Sequence, residues 1–169
     1  MNKRKSILVT SGSKRLGKYI SKFFVMNDWD LILHYNNSKL EAEETANELS
    51  LYSKNIKLYH ADFTKHKDVE NLVENLISKE KEWVGLVNNA GLFEYDTGED
   101  FTLEKLNQHM LINFSTPAIL IQALYRNIIK NQINRNKNNM VINIIDAKIE
   151  GLNPDYYSYT LSKLAMSGL

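Results

Sequence analysis

Short apolar runs recur along the chain and alternate with segments whose apolar residues are three and four positions apart. Continuous runs rich in β-branched residues predict strands that are covered on both faces of a sheet. The predicted strands are Ile7–Thr10, Asp30–Tyr35, Ile56–Ala61, Trp83–Val87 and Met140–Ile145. This arrangement favours a sheet whose strands are connected through helices.

The first two connecting segments have the period of amphipathic helices. One helix is predicted from Leu16 to about Asn27, with its apolar residues on one face. Ser38 and Glu41 have the spacing of a capping box, so a second helix is expected from Ser38 to about Leu51.

The later connections are longer. Apolar positions between residues 69 and 77 predict a helix behind a cap at Thr64. A long helical region is expected over Thr102–Lys130, with a change of direction near Pro117. The polar stretch Asn131–Asn139 is expected to be a surface connection.

Strand and helix alternate throughout, without a repeat or a break in composition. This order predicts a Rossmann-like α/β fold, in which a doubly wound parallel sheet lies between two layers of helices. All 169 residues are expected to form one nucleotide-binding domain. Ligands of such sheets bind at the carboxyl ends of the strands, so the polar segments found there are expected to line one crevice. These segments are Thr10–Gly17, His34–Ser38, Asp62, Asn88–Phe93 and Asp146.

Composition narrows the classes of function. The net charge is +1, which gives no indication of a nucleic-acid or acidic-membrane partner. The absence of cysteine excludes disulfides, thiol nucleophiles and zinc–thiolate sites, and no metal site is predicted. The basic segment Asn2–Lys5 precedes an apolar run too short for a signal peptide or a membrane span. We therefore expect a cytoplasmic protein with a small-molecule substrate.

The segment Thr10–Gly17 joins the first strand to the first helix, where a dinucleotide pyrophosphate meets backbone N–H groups and the positive end of a helix dipole. Gly12 permits close backbone approach, and Gly17 permits close packing of the helix on the sheet. A glycine turn that serves the topology alone is the alternative interpretation.

The end of the second strand indicates which nicotinamide cofactor is used. A carboxylate there would bind the ribose 2′-hydroxyl of NAD, but this chain has His34–Ser38 instead. Lys14 and Arg15 in the glycine loop add cationic donors that suit a 2′-phosphate. The sequence therefore favours NADPH over NADH.

A tyrosine and a lysine near the end of the chain are candidate reactive groups. If the chain is helical from Ser158, Tyr159 and Lys163 lie on one face with their Cβ atoms roughly 5–6 Å apart. An ammonium beside a phenol favours the phenolate, so it lowers a pKa that is ordinarily about 10. Two solvated helix neighbours would show the same spacing.

Several motifs in a fixed order make the chain resemble the short-chain dehydrogenase/reductase family over essentially its whole length. They are the glycine loop, Asn88-Asn-Ala-Gly91, Asn113 in the long helix, and Tyr159-x-x-x-Lys163. Within the family the chain is most similar to the pteridine reductases and dihydromonapterin reductases. The residues that carry this closer likeness are Lys14–Gly17, His34-Tyr35, Phe93 and Asp146.

The resemblance implies roles for these residues. Tyr159 would give a proton while nicotinamide gives a hydride, Lys163 would hold the ribose and lower the tyrosine pKa, and Asn113 would anchor a proton-relaying water. Tyr156 and Tyr157 would shape the pocket wall. Cofactor contacts are expected from Gly12, Ser13, Lys14, Arg15, Leu16, Gly17, His34, Asn36, Asn37, Ser38, Asp62, Phe63, Asn89, Ala90, Tyr159 and Lys163.

Substrate contacts are expected from Arg15, Phe93, Asp146 and Tyr159. Most family members have serine where this chain has Asp146. An ionised carboxylate only accepts hydrogen bonds, so it would repel a developing alkoxide but match the N–H groups of a pterin. Phe93 could stack on the flat ring, and Arg15 could meet a phosphate or the pterin oxygen. A loop aspartate without a catalytic part and a core phenylalanine are the alternatives.

Two departures from the family pattern carry further expectations. Ser11 stands where the family usually has its first glycine, and we expect Gly12 to provide the turn. The chain ends at Leu169, whereas full family members continue through further strands and a substrate-covering loop. We therefore expect a fragment or a truncated product of a reductase that is a dimer or tetramer when full length. Its fifth strand would be an unprotected edge.

Three functions remain open from the sequence. The leading hypothesis is an NADPH-dependent reductase of a pterin or dihydrofolate-like substrate. The second is a carbonyl reductase, such as a 3-oxoacyl-carrier-protein reductase. The third is a vestigial nucleotide-binding module without turnover.

Overall fold

The computed structural model describes residues 4–53, 55–133 and 139–169. The strands in these ranges are β1 (Ser6–Val9), β2 (Asp30–Tyr35), β3 (Ile56–His60), β4 (Trp83–Asn88) and β5 (Met140–Asn143). They form one parallel sheet with the order β3-β2-β1-β4-β5. This order confirms the predicted Rossmann-like α/β fold.

Five of the six α-helices in the described residues lie between strands, as the periodicity predicted, and the sixth follows β5. They are α1 (Arg15–Met26), α2 (Lys39–Leu49), α3 (His66–Lys79), α4 (Leu103–Met110), α5 (Thr116–Lys130) and α6 (Tyr157–Ser167). A short 3₁₀ turn, Ala147–Ile149, follows β5. The predicted surface connection Asn131–Asn139 lies largely outside the described residues.

The two faces of the sheet carry separate apolar clusters. Leu8, Ile32 and Leu86 pack with buried residues of α3 and α5. Their strand neighbours Ile7 and Leu33 point the opposite way, because side chains alternate along a strand, and pack with α1 and α2. The sheet is thereby covered on both faces along its central strands.

Strand β5 is less well covered. Val141 is 41% exposed and Ile142 is 38% exposed, although both belong to a strand that reads as continuously apolar. Within the described residues β5 pairs only with β4. The expected exposed edge is therefore present.

Two predicted capping interactions are wrong. Ser38 is the N-cap residue of α2, as predicted, but its side chain accepts no hydrogen bond from the first turn and instead lines a cleft. Thr64 lies one residue before Lys65, which is the N-cap of α3. The Thr64 hydroxyl donates to Asp62 Oδ1 at 2.7 Å, so a local turn takes the group that was expected to cap the helix.

The long helical region is interrupted just before Pro117. A π-helical turn, Leu111–Ser115, joins α4 to α5, and Pro117 occupies the first turn of α5. Proline has no backbone N–H, and it is tolerated in the first turn of a helix because the N–H groups there have no partner within the helix. The wider π-helical turn before Pro117 accommodates the hydrogen bond that proline cannot donate. Asn113 lies inside this π-helical turn.

Candidate active site

A cleft of about 450 Å³ opens at the carboxyl ends of β1, β2 and β4. Many of the predicted cofactor-binding residues line it, because parallel strands bring their following loops to one edge of the sheet. The lining includes Ser13–Gly17, Asn36, Ser38 and Asn89 from the predicted set, with Ser11 and Tyr35 beside them. Asn37 is exposed next to this lining.

The glycine loop turns at residues other than its glycines. Ser11 has a φ of 50° and Arg15 a φ of 47°, both in the left-handed region, and none of the described glycines has a positive φ. The expectation that Gly12 provides the turn is therefore wrong. A Cβ on Gly12 would lie 2.8 Å from Ser21 Oγ, and one on Gly17 would lie 2.1 Å from the Ser11 carbonyl oxygen. Both glycines allow the loop and α1 to pack closely.

His34 supports the loop from inside the protein. Its Nδ1 accepts from the Ser11 N–H at 3.1 Å, and its Nε2 donates to the Ala61 carbonyl at 2.9 Å. The ring stacks on Phe63 at 4.2 Å between centroids. Burial lowers the pKa of His34 to about 4, so the ring is neutral near pH 7. Both rings were expected to contact the cofactor, and the structure places both in the interior.

The sequence held a signal for this role of His34, because the histidine interrupts a strand of otherwise apolar residues. A histidine in such a run is usually a buried one whose ring nitrogens both have partners. Its partner Ser11 is far away in the chain and had no signal of its own. The tertiary structure alone pairs them.

The charged groups of the cleft differ in their partners. Lys14 Nζ contacts Glu41 Oε1 at 2.8 Å, and this contact lowers the pKa of Glu41. Arg15 is exposed and has no ion pair with any described residue. Asp62 accepts from the N–H and the hydroxyl of Thr64, which lowers its pKa, and is 3.5 Å from Asn36 Nδ2.

These features fit the pyrophosphate of a dinucleotide. The first turn of α1 has no side-chain cap, so its backbone N–H groups have no partner from the N-cap side chain. Those N–H groups, the positive end of the helix dipole, the hydroxyl of Ser13 and the cation of Arg15 together form a donor set for an anion.

Asn89 and Thr10 fasten the loop after β4 to the loop after β1. The Thr10 hydroxyl accepts from the N–H groups of Asn89 and Ala90, each at 2.9 Å. Asn89 Nδ2 donates to the carbonyl oxygens of Thr10 and Ser11 at 2.9 and 3.2 Å. The Asn-Asn-Ala-Gly motif therefore holds two walls of the cleft in register. The hydroxyl of Thr10 is a functional group that the sequence had not singled out.

Asp146, Tyr159 and Lys163 lie together next to Gly91, one of the residues that line the cleft, and Tyr159 and Lys163 are neighbours on α6 as their spacing predicted. Tyr159 Oη donates to Asp146 Oδ2 at 2.7 Å. Lys163 Nζ lies 5.8 Å from the centroid of the Tyr159 ring and donates to the Ile144 carbonyl at 2.7 Å. A Cβ on Gly91 would lie 3.9 Å from Lys163 Nζ, so the loop after β4 borders the same point.

The expected lowering of the tyrosine pKa is wrong for this arrangement. Burial raises the pKa of Tyr159, and the hydrogen bond to the Asp146 carboxylate raises it further. The backbone N–H of Lys148 and then the Tyr159 hydroxyl lower the pKa of Asp146, while burial lowers the pKa of Lys163. The shared proton therefore resides on Tyr159 and the negative charge on Asp146.

Asn113 is buried and its amide is used within the protein. Its Nδ2 donates to the Leu92 carbonyl at 3.0 Å and to Ser162 Oγ at 2.9 Å, and its Oδ1 accepts from the Leu92 N–H at 2.8 Å. The side chain ties the loop after β4 to α6. Its predicted role in anchoring a water stays a prediction.

An aromatic wall borders the Tyr159 hydroxyl. Phe93 is 56% exposed, so the interpretation as a core phenylalanine is excluded. Its ring stacks on Tyr156 at 4.2 Å with an angle of 7°, and meets Tyr159 edge-on at 4.6 Å. Tyr157 turns away and packs on Phe101. Of the two additional tyrosines, Tyr156 therefore belongs to the same aromatic cluster as Tyr159, through Phe93.

Comparison with known proteins agrees with this geometry. The short chain dehydrogenase family matches residues 5–169. This chain belongs to that family. Among curated members it is 25% identical over 124 residues to the short-chain dehydrogenase/reductase FrzI of Cladobotryum sp, and 24% identical over 129 residues to the uncharacterized oxidoreductase YmfI of Bacillus subtilis. These matches cover 73% and 76% of the chain.

Two solved structures show the same fold. FolM, alternative dihydrofolate reductase 1 of Brucella suis, in complex with NADP, is 30% identical with a TM-score of 0.83 over 97% of this chain. Acetoin dehydrogenase YohF of Salmonella typhimurium has a TM-score of 0.89 at 22% identity over 98% of this chain, a likeness that shows the fold.

The chain is shorter than these similar proteins. It spans about half of the curated relatives, 48% of FrzI and 52% of YmfI, and 64% of each of the two solved chains. Among the described residues no helix has the length and apolar character needed to cross a membrane.

Proposed function

We propose that this chain is the cofactor-binding and catalytic part of an NADPH-dependent reductase that acts on a pterin or dihydrofolate-like C=N substrate. The observation that carries the proposal is the hydrogen bond from Tyr159 Oη to Asp146 Oδ2 at 2.7 Å. A carboxylate that touches the proton donor suits a substrate with N–H groups and opposes a developing alkoxide. The likeness to the Brucella suis alternative dihydrofolate reductase supports the same substrate class.

The preference for NADPH is supported by the groups at the adenosine end of the cleft. Arg15 is exposed without an ion pair to a described residue, and the Ser38 hydroxyl is not used as a helix cap. Among the described residues Lys14 has an ion pair only with the half-buried Glu41, a contact that a phosphate can replace. Asn36 and Asn37 add neutral donors. Together they would hold a 2′-phosphate through charge-assisted hydrogen bonds.

The parts of the dinucleotide other than the adenosine 2′-phosphate would lie along the rest of the cleft. The N-terminus of α1 and Ser13 would hold its phosphates, and Lys163 would hold the ribose next to the nicotinamide. When bound, NADPH supplies the hydride that reduces the carbon of the C=N bond.

Tyr159 supplies the proton that the nitrogen of that bond requires. The phenol is protonated at neutral pH, because burial and Asp146 raise its pKa. As the Oη–H bond breaks and an N–H bond forms, the phenolate would face the carboxylate of Asp146. A substrate N–H that donates to Asp146 reduces this repulsion, and the Lys163 ammonium nearby favours the phenolate. Asp146 thus links proton transfer to the presence of an N–H donor on the substrate.

Phe93 and Tyr156 supply a flat surface beside the reactive hydroxyl. Their stacked rings leave Phe93 exposed, so an aromatic substrate ring can pack against it. Arg15 would contact a phosphate or the substrate oxygen, and Asn113 would hold the water that returns a proton to Tyr159. We further propose that the whole protein is cytoplasmic and acts as a homodimer or homotetramer.

Substrate-dependent loss of NADPH absorbance in the full-length protein tests the proposal. Turnover is expected with dihydrobiopterin or dihydrofolate, and none with an acetoacetyl thioester. Asp146→Ser is expected to abolish pterin turnover, while Glu150→Ser, which removes an exposed carboxylate from the same segment, keeps it.

The opposite substrate preference would establish a carbonyl reductase. Pterin turnover by Asp146→Ser at the rate of the unmodified protein would remove the basis for the proposed substrate class. NADPH binding without turnover of either substrate would indicate a nucleotide-binding module.

A further inference from the structure

Helix α6 carries both Tyr159 and Lys163, yet its own sequence does not cap it. Its N-cap residue, Tyr156, has a φ of 55° and makes no capping hydrogen bond through its side chain. The first turn contains no acidic residue. The leading N–H groups of a helix need partners when they are buried, so another part of the chain must supply them.

Asp96 supplies two of these partners. Its carbonyl oxygen accepts from the Tyr157 N–H at 3.2 Å, and its Oδ1 accepts from the Ser158 N–H at 3.0 Å. Asp96 lies in the segment after β4, far from α6 in the chain. A bridge between Thr97 and Asp155 brings the same two segments together. The N-terminus of α6 is therefore capped by a distant part of the same chain, the loop after β4.

Asp96 is shielded from water together with Ser158, whose N–H it caps, so water cannot replace this acceptor. The residue is 0% exposed, and its Oδ2 has no hydrogen-bond partner among the described residues. A buried carboxylate oxygen without a partner is costly, and a neutral acceptor would serve the same N–H at lower cost. The negative charge also complements the positive end of the α6 dipole.

Asp96 and Asn113 hold α6 at two places. Asn113 joins Leu92 to Ser162, which lies one residue before Lys163, and Asp96 holds Ser158, which lies one residue before Tyr159. Asp96 and Asn113 both belong to segments that follow β4 in the chain. The position of the two reactive side chains relative to the cleft depends on both contacts.

We propose that Asp96 is a positioning residue for the reaction, whose carboxylate caps α6 and fixes Tyr159 and Lys163 against the loop after β4. The inference rests on the proposed function in that Tyr159 is the proton donor. It assigns to Asp96 a function that the Tyr-x-x-x-Lys spacing does not contain.

Three substitutions in the full-length protein separate the position of the oxygen from the charge. Asp96→Asn keeps an acceptor oxygen in place, Asp96→Glu keeps the charge but moves the oxygen by one methylene, and Asp96→Ala removes both. Asp100→Ala is the matched control, because Asp100 is an exposed aspartate of the same loop that binds only Thr97 among the described residues.

The Asp96→Ala and Asp96→Glu variants are expected to lose about tenfold or more in kcat, with KM for NADPH near its original value, because misplacement of a reacting group acts on the chemical step. The Asp96→Asn and Asp100→Ala variants are expected to retain most of kcat. If the alanine variant does not fold, the comparison of Asn with Glu still decides the matter. A kcat for Asp96→Glu equal to that of Asp100→Ala would overturn the proposal, as would an Asn variant as slow as the Glu variant.

Hydrogen exchange supplies a readout that needs no substrate. In Asp96→Glu, or in Asp96→Ala where it folds, protection should fall at the Tyr157 and Ser158 amides and stay unchanged in β1. Unchanged protection at those two amides would overturn the proposal. Should the unmodified protein fail to reduce pterins, the proposed function would fail, and the exchange comparison would still decide whether Asp96 holds α6.

Discussion

The carboxylate of Asp146 accepts a hydrogen bond from the Tyr159 hydroxyl at 2.7 Å, and this contact adds to burial, the larger cause, in raising the pKa of Tyr159. The lysine four residues further along α6 does not reverse this effect, because its Nζ donates to the Ile144 carbonyl and its own pKa is lowered by burial. The protonation state of the reactive phenol is thus set mainly by the aspartate and by burial.

Substitution of Asp146 by Asn is expected to lower the pKa of Tyr159. A neutral amide removes the negative charge that opposes phenolate formation, while burial continues to raise the pKa. Tyrosinate absorbance in an alkaline titration of Asp146→Asn, with Tyr159→Phe to identify the signal, measures the shift. A Tyr159 pKa that stays unchanged or rises would contradict this account.

The stability of the protein is expected to fall with acidification between pH 6.5 and 4 because of His34. Its pKa is lowered from 6.5 to about 4 by burial, so in this interval the unfolded chain binds a proton that the folded chain does not. The free energy of unfolding therefore decreases as the pH falls, by up to about 3 kcal/mol at the lower end.

Thermal denaturation at several pH values measures this dependence. His34→Gln should flatten it, and His66→Gln, which changes an exposed histidine of α3, should leave it as it was. The same acid sensitivity in His34→Gln and in the unmodified protein would show that another group is responsible.

Replacement of Glu80 by Ala is expected to destabilise the fold by about 1–3 kcal/mol, because it removes a buried acceptor from its two donors while the half-exposed Lys57 ammonium can still be solvated. The Glu80 side chain is 4% exposed and accepts from Lys57 Nζ at 2.7 Å and from the Tyr59 hydroxyl. Its loss leaves the ammonium and the phenol without their acceptor. Chemical denaturation measures the change in the free energy of unfolding. Glu74→Ala, on the exposed side of α3, is the control, and an equal effect of the two substitutions would contradict the prediction.

The 169-residue polypeptide by itself is expected to be weakly stable and to associate through β5. Val141 and Ile142 are 41% and 38% exposed on a strand that pairs only with β4 in the described part of the chain, and Ile145, just beyond the strand, is 45% exposed. An apolar edge strand is a template for pairing with another copy. Light scattering during expression and refolding should show aggregates, which Val141→Lys reduces. A cooperative unfolding transition at high temperature in a monomeric sample would refute the prediction.

The sequence by itself determined the order of strands and helices, since apolar runs and helical spacing are local properties that burial imposes on each element. It also indicated that Asp146, Tyr159 and Lys163 meet, because strand ends share one edge of the sheet and two of these residues share a helix face. Only the tertiary structure decided which hydrogen bonds and ion pairs join segments that are far apart in the chain.

His34 turns inward to hold Ser11, Lys14 pairs with Glu41, and Asp96 caps α6. The tertiary structure also decided the direction of the pKa shift of Tyr159. The lysine was close enough to favour the phenolate, but burial and the hydrogen bond to Asp146 act more strongly in the opposite direction. Spacing predicts which groups are neighbours, whereas burial and the direction of each hydrogen bond are properties of the packed chain.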